Sequence, residues 1–588
     1  MSGRFEVRLR TGPAREWRIF RDPAAILRAR TPAEVVGVLQ DVESAVTTEG
    51  CYAAGYVTYE AAAAFDLPVR APAARALPLV CFGLFRPESV EVEYGLPRAG
   101  AYRTGEWTPS IDKATYKDAI RRIKALIEAG ETYQINFTFR LATLFSGDPL
   151  ALLVDLDAAQ DGPCGGYVED GRHVICSASP ELFVGVRGDL IECRPMKGTG
   201  PRGLWASADH ARGEALRSSP KNRAENVMVV DMTRNDLGRF ARTGSVEATS
   251  LFEVERYPLQ WQMASTVRAR GNVTLAGLFE ALFPAGSVTG APKHRSMSII
   301  RDLETGPRGI YTGAIGYLSP DGGRHFSVAI RTVAIDRERE SAEFGVGSGI
   351  VWDSVDEDEY EECRLKASIL LNPPRFSYAI GRRASFQLLE TIGWTPSAGF
   401  ALLSRHLERL AESAACFRFE CDLESVQALL DNAVADLVEP AKLRVLLSQD
   451  GAIVCVGIHL GPSPDTPMQV AMATEPIDTN DVFLYHKTTR RDVYERARAS
   501  RPDCDGVVLW NRDGEVTEAT EANIVVELDG AKVTPPVECG LLPGTFRGQL
   551  LAEGTIAERR VTVPQLKHAT GIWLINSVRG WLPAEISE

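Results

Sequence analysis

Apolar positions recur at helical spacing in several stretches of the chain. Tyr116, Ile120, Ile123 and Ile127 fall three or four residues apart, so 114–130 is expected to be a helix with one buried face. Stretches 225–240, 292–303, 356–371 and 402–417 also read as helices. The second carries Pro292 in its first turn, and the third concentrates acid at its N-terminal end, where the helix dipole favours it. Short β-branched runs bounded by Gly or Pro lie between them, and 173–176, 182–186, 328–335 and 343–351 read as strands. In the last third, 507–510 and 515–528 read as strands joined by the turn Asn511-Arg-Asp-Gly514. The whole chain is therefore expected to be mixed α/β.

One break interrupts this pattern. Ile369-Leu-Leu-Asn-Pro-Pro-Arg-Phe376 ends an amphipathic stretch with a Pro pair that cannot continue a helix, and a new alternating run follows from Ser385 to Trp394. We place a boundary near 373–378. That gives a first domain of 1–374 and a second of 378–588, each large enough to bury its own core.

Composition narrows the classes. With 588 residues, 45% hydrophobic and 24% charged, the chain is ordinary globular protein, not disordered, collagen-like or coiled coil. A net charge of −13 argues against general nucleic-acid binding but leaves room for small anions, because a pocket is governed by local charge. No apolar run approaches the roughly 18 residues of a membrane span, and MSGRFEVRLR lacks the apolar core of a signal segment, so a cytoplasmic protein without a membrane partner is expected. The 11 cysteines form no CxxC pair and the 8 histidines no HxxxH or HExxH, which argues against structural zinc and a disulfide framework.

Three stretches of the first part carry candidate chemistry. Glu359, Glu362 and Lys366 share one helical face at i, i+3 and i+7; this suits Mg²⁺, although spacing alone favours a solvated acidic face with an incidental i+4 ion pair. Arg194-Pro-Met-Lys-Gly-Thr-Gly-Pro-Arg-Gly203 reads as a tight Gly/Pro loop with Lys197 at its head. Gly286-Ser-Val-Thr-Gly-Ala-Pro-Lys293 runs into a helix whose free N–H groups could receive a carboxylate or phosphate, though without the spacing of a nucleotide P-loop.

The runs RPMKGTGPRG, RAENVMVVDMTRNDLGR, FPAGSVTGAPK, GAIGYL, SVAIRT, GSGIVWDS and EYEECRLK occur in that order. Together they resemble the chorismate-utilising enzymes: anthranilate synthase component I, isochorismate synthase and aminodeoxychorismate synthase component I. The resemblance covers 110–372, with a weaker extension over 1–109, and implies a large α/β sandwich around one Mg²⁺-dependent site. It assigns Glu225 and Glu362 as Mg²⁺ ligands with Glu359 in support. Arg331 would hold a chorismate carboxylate, with Lys366, Ser287 and backbone near Gly347 and Gly349 around it. Lys197 discriminates within the family: anthranilate synthases resemble PIAGT here, with alanine at its place, and aminodeoxychorismate synthases PIKGT. A lysine among cations and metal can become a nucleophile; the resemblance implies that it attacks C2 of chorismate while Glu181 acts as general acid for the leaving C4 hydroxyl. Gln262 stands where many members carry histidine, and Asn222 replaces a second acid seen in anthranilate synthases. Cys164, in GPCGG, lacks the surroundings of a glutaminase nucleophile, so ammonia is expected from a separate glutamine amidotransferase subunit.

In the second part, Lys487 lies in Tyr485-His-Lys-Thr-Thr-Arg490, Glu518 in Val516-Thr-Glu-Ala-Thr-Glu-Ala-Asn-Ile524, and a Gly-rich stretch in Gly540-Leu-Leu-Pro-Gly-Thr-Phe-Arg547. A Schiff-base lysine, an acid for a pyridine nitrogen and a phosphate loop are the parts a pyridoxal phosphate enzyme needs. Their order resembles the fold type IV enzymes: branched-chain aminotransferase, D-amino acid aminotransferase and aminodeoxychorismate lyase. By that resemblance Lys487 carries the cofactor, Glu518 pairs with its ring nitrogen, and Arg409, Thr545 and backbone at Gly544 hold its phosphate, with Asn523 beside them. The fusion implies consecutive reactions: chorismate to 4-amino-4-deoxychorismate, then loss of pyruvate to give 4-aminobenzoate. The alternative is an anthranilate or isochorismate synthase joined to an aminotransferase. The second domain also allows a homodimer.

Overall fold

The structure, a computed structural model, describes residues 4–11, 16–72, 76–97, 100–371, 386–464 and 466–587. They form two compact units. One takes in the described residues of Met1–Arg202 and Arg212–Ser377, the other those of Gly203–Ala211 and Tyr378–Glu588. The boundary expected near 373–378 lies outside the described residues. The grouping of Gly203–Ala211 with the second unit departs from two consecutive stretches of sequence.

The first unit contains two antiparallel sheets of 11 and 10 strands. Phe5, Val7, Leu9 and Phe20 of one sheet pack against Ala54, Tyr56, Phe85 and Ile315 of the other, making the dry interior of a sandwich. Helix Pro32–Glu49 and helix Leu275–Leu282 cover the outer face of the 10-stranded sheet. Helices Lys113–Glu128, Pro149–Gln160 and Asp356–Leu371 cover that of the 11-stranded one. Sequence accounts for these helices locally: Asp112 caps the first of the latter three by accepting from Thr115 N–H, and Pro149 occupies a first-turn position where its missing N–H costs nothing.

One expected strand proves to be two. Arg324–Val328 belongs to the 10-stranded sheet and Thr332–Asp336 to the 11-stranded sheet. The chain crosses between them at 329–331, where Arg331 adopts φ 53°. Stretch 515–528 divides likewise into Val516–Ala519 and Asn523–Leu528. Helix Pro220–Gly238 begins a turn earlier than expected, because Ser219 caps it by accepting from Asn222 N–H.

The ends of the two sheets away from the sandwich interior converge on a cavity. Strand Gln134–Gly147 pairs along ten residues with Ser341–Ile350, and Met196–Pro201 pairs with Gln260–Arg270. A buried ion pair braces this end. Arg308 donates from Nε and Nη2 to the Glu304 carboxylate at 3.0 and 2.7 Å, and from its two Nη atoms to the carbonyls of Val288 (2.8 Å) and Asn136 (2.7 Å).

The second unit has a four-stranded antiparallel sheet, to which helix Leu403–Phe417 adjoins, and an eight-stranded mixed sheet. In the latter, Met468–Met472 runs parallel to both Gly506–Trp510 and Gly580–Ile586. Among the described residues no helix is long and apolar enough to cross a membrane.

Removing one partner of a fully desolvated ion pair strands the other. Arg308→Met should therefore cost the first unit about 3–5 kcal/mol, read as a fall in its urea unfolding midpoint.

Candidate active sites

The cavity of the first unit is lined by Glu181, Lys197, Glu225, Ser287, Arg331, Gly347, Gly349, Glu359, Glu362 and Lys366, all the candidates named for this domain. They come from separate elements. Glu225 is on helix Pro220–Gly238, and Glu359, Glu362 and Lys366 are on helix Asp356–Leu371. Lys197 is not at the head of a free loop. It lies in strand Met196–Pro201 at a bulge between Met196 and Thr199, where Gly198 takes φ 101° and turns the chain as a residue with a side chain rarely can.

Charge in this cavity is arranged by burial. Lys366 Nζ meets Glu362 Oε1 at 2.5 Å and donates to the Gly347 carbonyl at 2.9 Å. Burial opposes the ionisation of Glu362, but Lys366 together with Lys197 and Lys221 outweighs it and holds the carboxyl below its usual range. Arg331 is 6% exposed and donates to the Lys366 carbonyl and, at 3.0 Å, to Gln260 Oε1. Among the described residues no carboxylate stands within ion-pair distance of it, and burial lowers its pKa to about 10. A buried guanidinium without a counter-ion is suited to receive an anion. Burial likewise pushes the Lys197 ammonium down, against the pull of Glu225 and with help from Lys366. Glu181 is 3% exposed; burial raises its carboxyl to about 7, although Ser287 Oγ–H donates to it at 2.5 Å.

The start of helix Lys293–Leu303, expected as an anion site, does not line this cavity. Strand Gly290–Ala291 pairs with Gln134–Ile135, and Lys293 Nζ is taken by Asp236 at 2.7 Å; of that stretch only Ser287 and Val288 line the cavity. Gln262 lines it opposite Thr199 in the strand register, and Asn222 donates to Ser219 Oγ at 2.9 Å. Cys164 is buried, which pushes its thiol up to about 12, far from a nucleophile's range.

Sequence reading missed Gln134 and Asn226. Gln134 is 1% exposed with neither amide atom hydrogen-bonded, and a methyl on Gly349 would come 2.9 Å from its Nε2 and 2.5 Å from Lys197 Nζ. Its signal was a polar stripe at every second residue, Thr132, Gln134, Asn136, Thr138, all buried. Asn226 follows Glu225 in RAEN; its Nδ2 donates to the Lys197 carbonyl at 3.3 Å, while Ser265 Oγ donates to its Oδ1 at 2.5 Å.

Among the described residues no three His, Cys, Asp or Glu side chains stand close enough to hold a metal. Glu359 accepts from Ser354 Oγ at 2.6 Å and meets Lys221 at 3.4 Å, so two of the three carboxylates on this wall have a lysine partner. Their hard oxygen donors suit Mg²⁺, which would take the place of those ammonium groups.

In the second unit, Lys487 is desolvated, and burial together with Arg409 lowers its pKa to about 8. Glu518 is raised by burial to about 7 while accepting from Tyr494 Oη (2.7 Å), Asn523 Nδ2 (3.1 Å) and Leu542 N–H (3.0 Å). Arg409 is held by Glu390 through two hydrogen bonds of 2.8 and 2.7 Å and donates to the Pro543 carbonyl at 3.3 Å. His406 bridges Glu390 (2.6 Å) and Thr545 Oγ1 (3.3 Å). Gly544 caps helix Thr545–Ala552, and a methyl there would overlap Asn523 Oδ1. A lysine able to lose its proton, a carboxyl poised to share one and an oriented arginine beside a glycine-capped helix fit pyridoxal phosphate. Glu390, His406 and Tyr494, which orient these groups, carried no sequence signal of their own beyond the place of His406 in His-Leu-Glu-Arg-Leu.

Residues 5–372 match the model of the chorismate binding enzymes. The chain belongs to that family. Residues 387–586 match class IV amino-transferases. The first part is similar to aminodeoxychorismate synthase of Streptomyces pristinaespiralis, 39% identical over 277 residues, 47% of this chain and 38% of that one. It is also similar to aminodeoxychorismate synthase component 1 of Klebsiella aerogenes, 38% identical over 46% of this chain and 60% of that one. Anthranilate synthase component 1 of Aquifex aeolicus is 37% identical over 45% of this chain and 54% of that one. The chain thus spans less than two thirds of the length of each. Anthranilate synthase component I of Streptococcus pneumoniae superposes with a TM-score of 0.52 at 25% identity, covering 60% of this chain and 92% of that one.

Ser287→Ala removes a hydrogen bond that favours the Glu181 carboxylate. Its carboxyl should then stay protonated to higher pH than about 7, seen as persistence of the protonated-carboxyl infrared band.

Proposed function

We propose that the first domain aminates chorismate to 4-amino-4-deoxychorismate and that the second eliminates pyruvate from that product to leave 4-aminobenzoate. The observation that carries the first half is Lys197, a desolvated amine in one cavity with Glu181, Glu225 and Arg331. Relatives named for aminodeoxychorismate and for anthranilate synthesis are about equally similar, so overall identity does not choose between them.

Arg331 and Lys366 bind substrate carboxylate. Lys197 Nζ forms a bond to C2 of chorismate as both conjugated ring double bonds shift and the C4–O bond breaks. Glu181, protonated up to about pH 7, gives its proton to the departing hydroxyl, which leaves as water. Ammonia then bonds to C4 and gives up a proton that returns to Glu181, both double bonds shift back and the Lys197–C2 bond breaks. Glu225, Glu359 and Glu362 would hold Mg²⁺, which supplies positive charge against a substrate carboxylate. The component 1 names of relatives support ammonia delivery by a separate amidotransferase subunit.

The class IV match supports pyridoxal phosphate in the second domain. When bound, that cofactor supplies an electron sink. Lys487 carries it and moves the proton at the substrate's amino-bearing carbon; Glu518 keeps the ring nitrogen protonated, and Arg409, Gly544 and Thr545 hold the phosphate. Aromatisation of the ring drives pyruvate loss. The same match supports a transaminase as the second reading. Release of pyruvate and 4-aminobenzoate from 4-amino-4-deoxychorismate with no amino acceptor present separates the two. The domain is also consistent with a homodimer.

The deciding experiment supplies chorismate, ammonia, Mg²⁺ and pyridoxal phosphate and identifies products over time. Lys197→Ala should cut 4-amino-4-deoxychorismate formation by about a hundredfold or more while the second step survives. Lys487→Ala should accumulate that intermediate. Anthranilate from the unaltered protein would overturn the reading. Because burial lowers Lys487 to about 8, its free amine predominates above that pH, and the rate of cofactor loading should rise with pH around a midpoint near 8.

A further inference from the structure

The second unit contains nine residues, Gly203–Ala211, from the middle of the other domain's sequence. They are folded tightly on themselves. Gly203 N–H donates to Asp209 Oδ1 at 2.9 Å, Asp209 N–H donates to the Trp205 carbonyl at 2.9 Å, and a methyl on Gly203 would overlap the Asp209 backbone. Asp209 is only 5% exposed. This closure presents Leu204 and Trp205 to one apolar cluster that includes Leu484, Tyr485, Tyr494 and Leu509.

That cluster adjoins two residues of the candidate cofactor site, Lys487 through Tyr485 and Glu518 through Tyr494. Tyr485 is two residues from Lys487, and the Trp205 indole stacks on its ring at 5.0 Å between centroids and 26° between planes. His486, 5% exposed and adjacent to Lys487, has its Nε2 3.1 Å from the Leu204 carbonyl and its Nδ1 2.9 Å from Ser413 Oγ. A carbonyl can only accept, so Nε2 carries a proton and donates it to Leu204. Both residues before the lysine are thus fixed by the 203–211 segment, one through its ring and one through its imidazole. Tyr494, in the same cluster, donates to Glu518 at 2.7 Å.

We propose that Leu204 and Trp205 are positioning residues for Lys487, so that the cofactor site of the second unit is built from two separate stretches of sequence. The inference rests on the reading that Lys487 carries pyridoxal phosphate. Neither residue touches the cofactor. They set where the Lys487 backbone lies by clamping its two predecessors, while the Leu389 N–H donates to the Lys487 carbonyl at 2.9 Å on the other side.

The test is titration of the full-length protein with pyridoxal phosphate, following the visible absorbance of the bound cofactor and its pH midpoint. Trp205→Ala should weaken binding about five- to tenfold, the scale of a lost aromatic pair, and shift the pH midpoint. Trp205→Phe, which keeps a ring over Tyr485, should restore both, and Ser207→Ala, on the exposed side of the segment, should leave both unchanged. Should Trp205→Ala not fold, Trp205→Leu takes its place; it fills the space without the ring and should still weaken binding and move the midpoint. Unaltered affinity and midpoint in the folded Ala or Leu variant would overturn the proposal. Absence of Lys487-dependent absorbance in the unaltered protein would instead remove the cofactor reading on which it rests.

Discussion

Three alternate residues of one strand have no side chain, and the first cavity exists because of it. Gly345, Gly347 and Gly349 face the same way along Ser341–Ile350, since side chains of a strand alternate. A methyl at the first would overlap the ring of Tyr311, at the second the carbonyl of Phe137, and at the third would crowd Lys197 Nζ and Gln134. The ten-residue pairing with Gln134–Gly147 fixes the register and direction of that bare face. Space is thereby left for a ligand, and the Gly347 carbonyl is free to accept from Lys366. A side chain at Gly349 would displace Lys197 Nζ.

Burial then sets the chemistry. The same low-dielectric surroundings depress Lys197, Lys487 and Arg331 and raise Glu181 and Glu518. Each unit therefore pairs an amine that gives up its proton readily with a carboxyl that retains one near neutral pH. The partners that hold these groups are neutral or compensated: Ser287 for Glu181, Tyr494 and Asn523 for Glu518, Glu390 for Arg409.

Much of this was legible in the sequence, unevenly. Asp356–Leu371 was readable to the residue, because acid at one end and an apolar period along it leave little else. The family resemblance named every charged group that lines the first cavity except Lys221, and all of these but Glu181 sit in the ordered runs. Residues acting through geometry escaped. Gln134, on a strand, and Asn226, on a helix, are ordinary amides until tertiary packing buries them beside Lys197, and Glu390 is an ordinary glutamate until Arg409 and His406 close on it. The chain crossing at 329–331 was read as continuous strand because both halves are β-branched and apolar; only sheet membership distinguishes them.

Sequence by itself determined the mixed α/β class, the two-part division and the inventory of lysines, carboxylates and arginine, because periodicity, Pro placement and motif order are properties of the chain. Tertiary structure alone decided which of those groups lose water and which face one another. It also decided that Gly203–Ala211, though embedded in the first domain's sequence, packs with the second unit. Desolvation and proximity depend on residues far apart in the chain, so no local pattern encodes them.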